Sequence, residues 1–189
     1  MPRHADPEVE QRVLDAAQSL WRGGGDKTLS MRALARAART NTPAIYRRFK
    51  SRQGILRALL LRLRKELYEV VKTSASLEEG LERYLEFALA RPQEYQLYHA
   101  HYHELLGASP AAKKAEEFGP SFLWAQSKLA ERVKGDDEQH LRLTLALWAV
   151  AHGTALLLIS RSVPGHLEGE LRSACRHAIA SLVREADGR

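Results

Sequence analysis

Apolar residues along this 189-residue chain recur every three to four positions, the spacing of one face of an α-helix. Nowhere do five residues alternate in the way a strand of β-branched or aromatic side chains requires. The expected fold class is therefore all-α. Val9, Val13, Ala16, Ala17 and Leu20 mark a first helix, with Asp6 as N-cap, Pro7 in the first turn and Gly23, Gly24 and Gly25 as the stop. Ser30 is placed to cap a short helix carrying Met31, Leu34, Ala35 and Ala38, and Asn41 to cap another from Thr42 to Phe49. Two short helices joined this tightly make a helix-turn-helix. Ser51 then opens a long helix whose stripe of Ile55, Leu56, Leu59, Leu60, Leu63 and Leu67 reaches about Val71.

Further on, Ser76 and Glu79 fit a capping box for a helix to Ala90, and Pro92 begins another that ends near Gly107. Ser109-Pro110 starts a helical stretch interrupted at Gly119-Pro120 and stopped near Gly135. Asp136 to Ser160 reads as one long helix, apolar on almost every face, and Leu167 to Glu185 as the last. The pattern predicts about nine helices, four in an N-terminal part and five in a body.

Charge separates the same two parts. From Lys27 to Lys65 the chain carries 12 lysines and arginines over 39 residues, with no aspartate or glutamate. Residues 1 to 72 hold 16 basic and 7 acidic side chains, and the remainder 13 and 16, inside a formal net charge of +6. Because leucines and isoleucines are threaded through the basic stretch, it belongs to a folded surface rather than a disordered tail, and that surface needs a polyanion. On the helix after Asn41, a 100° step places Ile45 and Phe49 inward and Thr42, Pro43, Tyr46 and Arg47 outward, flanked by Arg48, Lys50 and Arg52. Such a face suits base edges in a major groove, with phosphate on either side.

The run Leu29-Ser-Met-Arg-Ala-Leu-Ala-Arg-Ala-Ala-Arg-Thr-Asn-Thr-Pro-Ala-Ile-Tyr-Arg-Arg-Phe-Lys-Ser-Arg-Gln-Gly-Ile-Leu56 resembles the DNA-binding head of the TetR family of transcriptional regulators. Ser30, Ala35, Ala38, Asn41, Tyr46, Phe49, Arg52 and the Ile55-Leu56 pair carry the match, which covers roughly residues 8 to 60. The resemblance implies that Arg32, Thr42, Pro43, Tyr46, Arg47, Arg48 and Arg52 touch DNA. Among them Arg32, Thr42 and Arg47 are the base readers, while Tyr46, Arg48 and Arg52, joined by neighbouring Lys50, hold the backbone. One departure is Arg39, in a turn where the family usually has glycine. A positive φ there would strain an arginine by about 1 kcal/mol or more.

The resemblance further implies a helix-turn-helix domain over residues 1–52 and a helical effector-binding and dimerisation domain over 53–189, linked by the helix from about 51 to 72. In the family the last two helices pair with those of a second subunit. Asp136 to Ser160 and Leu167 to Glu185 match that pair, with Leu147, Leu157 and Ile179 expected at the dimer interface. Trp148, His152 and Gly153 are similar to a Trp…His-Gly signature of one C-terminal class. The implied function is a cytoplasmic homodimeric repressor, released from a near-palindromic double-stranded DNA operator by a small, mainly apolar effector.

Ten of the 13 aromatic residues lie between Tyr68 and Trp148. Phe87, Tyr98, His99, Tyr102, His103, Phe122, Trp124, Trp148 and His152 are the candidate effector contacts, since ligand pockets are mostly apolar with a few polar groups. His99 and His103 share a helix face at a spacing that can chelate a metal, beside Glu104, while His101 points the other way. With no HExxH pattern and no cysteine cluster, neither a metal nor a cofactor is expected. A metal sensor built on His99 and His103 stays as one alternative, and a DNA-binding architectural protein without effector as another. The lone Cys175 points to a reducing compartment, and the mixed-charge N-terminus carries no signal-peptide pattern. Leu141 to Ile159 approaches membrane-spanning length but contains Arg142, Thr144, His152 and Thr154, and reads as a buried helix. No G-x-S-x-G, P-loop or Rossmann fingerprint is present, so no enzyme is expected.

Overall fold

A computed structural model describes residues 7–106 and 118–188. Within them the chain forms ten α-helices and no strand. In chain order they are α1 (Pro7–Gly24), α2 (Met31–Ala37), α3 (Thr42–Phe49), α4 (Arg52–Val71), α5 (Leu77–Ala90), α6 (Pro92–Ala100), α7 (Tyr102–Leu106), α8 (Pro120–Ala130), α9 (Asp137–Ile159) and α10 (Glu168–Asp187). Short 3-10 turns at Gly25–Thr28 and Gly165–Leu167 lead out of α1 and into α10. Asp6, Gly107, Ser109 and Pro110, named above as helix signals, lie outside the described residues.

Most of the predicted caps form. Ser30 Oγ accepts from the Ala33 N–H at 3.1 Å, Asn41 Oδ1 from Ala44 at 2.9 Å and Ser51 Oγ from Gly54 at 3.0 Å, each satisfying an amide that its helix leaves unbonded. At Ser76 the box is displaced by one residue: Ser76 Oγ takes the Glu79 N–H at 3.1 Å, but the Glu79 carboxylate reaches back to the Ala75 N–H at 2.6 Å. Asp136 and Gln139 close a reciprocal box at 2.8 and 3.2 Å. The single helix expected from Pro92 to near Gly107 is split at His101, whose carbonyl receives the Leu105 N–H at 2.9 Å. The His101 Nδ1 lies 3.1 Å from Glu104, and that contact, then the one from Gln53, holds the Glu104 carboxyl below the usual carboxylate range.

The chain divides into two compact units, one of residues 1–63 with 93–109 and one of residues 64–92 with 110–189. Here α6 and α7 fold with α1 to α3 and the first part of α4. In the first unit, Val13, Ala17, Leu34, Ile45, Ile55, Leu59, Leu60 and Leu97 share one apolar core. A buried carboxylate fastens α6 to α1: Glu94, 1% exposed, accepts from Gln18 Nε2 and Arg22 Nη2, both at 2.9 Å. Trp21 Nε1 adds a bond to the Gln93 carbonyl at 2.8 Å.

In the second unit α9 packs on α5, α8 and α10. It is the one described helix long and apolar enough to cross a membrane, and 33% of its most apolar window is buried inside the chain. Leu147, Ala151, Ala155 and Leu158 make its inward stripe, with Thr144 and Thr154 satisfied by carbonyls of their own helix.

Candidate functional site

Burial of Ile45 (0%) and Phe49 (8%) fixes the rotation of α3, and with it the outward face. Pro43, Tyr46, Arg47 and Arg48 are exposed and Thr42 is partly so, as the helical spacing predicts. Arg32 on α2 and Lys50 just past α3 are exposed as well. The side chains of Arg32, Tyr46, Arg47 and Lys50 make no hydrogen bond or ion pair in the described structure. They form a cationic and hydroxyl-bearing surface open to an external anion.

Two of the expected contact residues already have acceptors. Arg48 Nη2 meets the Glu10 carboxylate on α1. Arg52, partly buried, donates Nε to the Leu29 carbonyl at 3.0 Å and Nη2 to Asp26, at 3.3 Å to the carbonyl and 2.6 Å to the carboxylate. Sequence spacing assigns Arg52 a phosphate role only. Its structural role is hidden at that level because the acceptors lie more than twenty residues upstream.

The turn before α3 resolves the question raised by Arg39. Its φ is 50°, and the Thr40 N–H bonds the Ala35 carbonyl at 2.9 Å while Arg39 N–H bonds Arg36 at 3.2 Å. This is the Schellman arrangement, in which the left-handed position normally holds glycine. Arginine is accommodated there, exposed. Lys50, at the other end of α3, has φ 59°, so basic residues in the left-handed region bracket the helix. Gly54 is a further requirement that the sequence pattern does not announce. A Cβ on it would stand 2.1 Å from the Phe49 carbonyl, so only glycine lets the end of α3 lie this close to α4.

The candidate effector contacts fall into both units. Tyr98 and His99 are on α6 in the first, with the His99 ring 4.4 Å from Tyr95 and 4.7 Å from Tyr98. The Tyr102 and His103 side chains lie outside the described residues. In the second unit Trp148 is the hub: its ring stacks on His152 at 5.4 Å, meets Phe122 edge-on at 6.4 Å and donates Nε1–H to the Tyr84 hydroxyl at 3.2 Å. Phe118 stacks on Phe122 at 4.6 Å. Burial pushes the His152 imidazole below its ordinary value, favouring the neutral ring. Phe87 is buried beneath the Arg91 guanidinium, 4.7 Å from its ring. Trp124 lies over Gly80, where a Cβ would meet its ring at 2.1 Å, so it serves helix packing. Among the described residues no cluster of three or more metal-ligating side chains forms.

Of the three residues expected at a subunit interface, Leu147 (2% exposed) and Ile179 (5%) are already covered within the chain. Their side chains pack into the protomer's own core. Leu157 is 41% exposed, and with Leu145, Trp148 and Leu156 it forms the uncovered apolar side of α9. Among the described residues a Cβ on Gly153 would meet nothing within 4 Å, so no described neighbour explains this glycine.

Residues 13–59 match a family described as bacterial regulatory proteins of the tetR family, and residues 77–182 match one described as the tetracyclin repressor-like C-terminal domain. No curated protein matches the chain. Solved structures with the same fold include a protein of unknown function from Rhodococcus sp. RHA1, 24% identical, with TM-score 0.74 and 99% of each chain covered. Another is the multidrug binding protein EbrR complexed with imidazole, 24% identical, TM-score 0.66, covering 96% of this chain and 93% of that one. A third is a TetR variant from Acinetobacter baumannii AYE in complex with minocycline, 16% identical, TM-score 0.61, covering 92% and 93%. The two family matches, lying in order over most of the chain, and the helix-turn-helix with its outward basic face lead to one conclusion: the chain belongs to the TetR family of transcriptional regulators.

Proposed function

We propose that this protein is a homodimeric repressor that binds a near-palindromic operator through α3 and releases it when a small, mainly apolar effector enters the helical body. The observation that carries the DNA half is the outward face of α3, where Tyr46 and Arg47 stand exposed with no protein partner in the described structure. Thr42, Arg47 and Arg32 are assigned to base edges, and Tyr46, Lys50 and Arg48 to phosphate. Arg52 is assigned first to holding α4 against the Asp26–Leu29 segment, with any phosphate contact secondary.

The effector half is supported by the ring cluster of Phe118, Phe122, Trp148 and His152 with Tyr84 at its edge. Stacked and edge-on aromatics with a neutral imidazole suit a flat apolar ligand bearing one or two hydrogen-bonding groups. EbrR and the Acinetobacter TetR variant, whose structures hold imidazole and minocycline, fit the same reading. The exposed Leu145, Leu156 and Leu157 support pairing of α9 across a two-fold axis, which would set two recognition helices about one DNA turn apart or somewhat more. Release then follows if the effector favours a dimer geometry that no longer matches the operator spacing.

The test is binding to DNA flanking the protein's own gene, with and without a panel of flat apolar compounds. Compound-dependent release is the expected result. Undiminished binding throughout, together with no compound retained in native mass measurements, would favour an architectural DNA-binding protein instead.

A further inference from the structure

Among the cations on and beside α3, Arg48 differs in one respect. Arg47 and Lys50 have no protein partner for their side chains in the described structure, whereas the Arg48 guanidinium is held by a single carboxylate, that of Glu10. Glu10 comes from α1, 38 residues away in sequence, and is anchored by a helix that packs on both α2 and α3. The neighbouring acid on α1, Glu8, lies 3.6 Å from Arg12 of its own helix, while Glu10 reaches across to α3. The side chains of Arg48 and Glu10 are 42% and 33% exposed, which leaves the pair open to water and free to exchange partners.

A guanidinium that holds a carboxylate has part of its donor fork occupied, and a phosphate arriving there must displace or share that anion. The carboxylate also repels the incoming phosphate. We propose that Glu10 is a built-in competitor for DNA phosphate at Arg48, weakening backbone binding so that duplexes offering only phosphates are held poorly. This rests on the assignment of α3 to DNA made above. Because every duplex offers phosphate, the competition lowers affinity for operator and random sequence by about the same factor, and base contacts from other residues then decide which duplexes stay bound.

The experiment measures binding of the full-length protein to a short labelled duplex of mixed sequence across a salt series. Glu10→Gln, isosteric and uncharged, is expected to bind about two- to tenfold more tightly, because an exposed ion pair no longer has to be surrendered. The slope of log affinity against log salt should steepen by up to about one per protomer, as Arg48 regains a full counterion-releasing contact. In an Arg48→Ala background the same substitution should give no gain. Weaker binding by Glu10→Gln would mean that Glu10 positions Arg48 for DNA and would overturn the proposal. A gain that persists without Arg48 would assign Glu10 to general repulsion and overturn it too. Arg47→Glu separates the two levels: if it leaves binding unchanged, α3 is not the DNA face and both readings fall, whereas loss in Arg47→Glu with a silent Glu10→Gln removes only the competitor. Thermal melting of each variant confirms that the fold is retained.

Discussion

Arg52 and Asp26 meet at 2.6 Å, and through the same guanidinium the start of α4 is bonded to the Leu29 carbonyl at 3.0 Å. One side chain thus fixes the segment entering α2 against the helix that follows α3. Arg52→Ala is expected to lower stability by about 1–2 kcal/mol, since two carbonyls lose a charged donor. Arg52→Lys should recover only part of this, because a single ammonium cannot serve Leu29 and Asp26 in the same planar fork. Thermal unfolding checks both, and an unchanged melting temperature in Arg52→Ala would return Arg52 to a purely DNA-contacting role.

Arg39 makes a different prediction, because its cost is local to the backbone. With φ at 50° in a Schellman turn, Arg39→Gly removes a left-handed penalty of about 1–2 kcal/mol and gives back up to about 1 kcal/mol through the more flexible unfolded chain. The expected net is a slightly more stable protein. If the exposed guanidinium also contributes to the positive surface, the same variant binds duplex DNA more weakly with a shallower salt dependence. Unfolding curves and a salt series read the two effects separately.

The two sides of α9 should respond in opposite ways to charge. Leu157→Glu or Leu156→Glu places a carboxylate on the exposed side and is expected to give folded monomers by sedimentation, with poor DNA binding. Leu147→Glu buries a charge among residues of its own chain and is expected to unfold the body, at a cost well above about 3 kcal/mol. A folded monomer from Leu147→Glu, or an intact dimer from Leu157→Glu, would refute this division.

Acid should weaken the body through His152. Burial lowers its pKa below the ordinary 6.5, so on acidification the unfolded chain takes up this proton first. The contribution is therefore fully present above about 6.5 and is lost as pH falls through the lower, folded-state value. His152→Phe, which keeps a ring against Trp148, should flatten the acid limb of the stability curve. An identical pH dependence in the variant would assign the acid sensitivity elsewhere.

Helix positions and caps were legible because they depend on neighbours in sequence: Ser30, Asn41 and Ser51 each cap the helix that follows. The outward face of α3 was legible for the same reason, since Ile45 and Phe49 alone fix its rotation. Contacts made at long range were not. Nothing local in the chain marks Glu10 as the partner of Arg48, Glu94 as the buried anchor of α6, or Arg52 as a brace. Of the left-handed helix ends, Arg39 at φ 50° was signalled by the glycine the resemblance puts there, whereas Arg161 at φ 55° carries no sequence signal. On α9 an apolar residue at nearly every position could not reveal which leucines face inward, so Leu147 and Leu157 looked equivalent until their burial separated them.

Sequence reading by α3 can be measured by selecting duplexes from a random pool with the purified protein and with Arg47→Ala in parallel. The wild-type protein is expected to enrich a near-palindromic motif, and Arg47→Ala a motif relaxed at symmetric positions. No enriched motif, or the same motif from both proteins, would contradict sequence reading by α3.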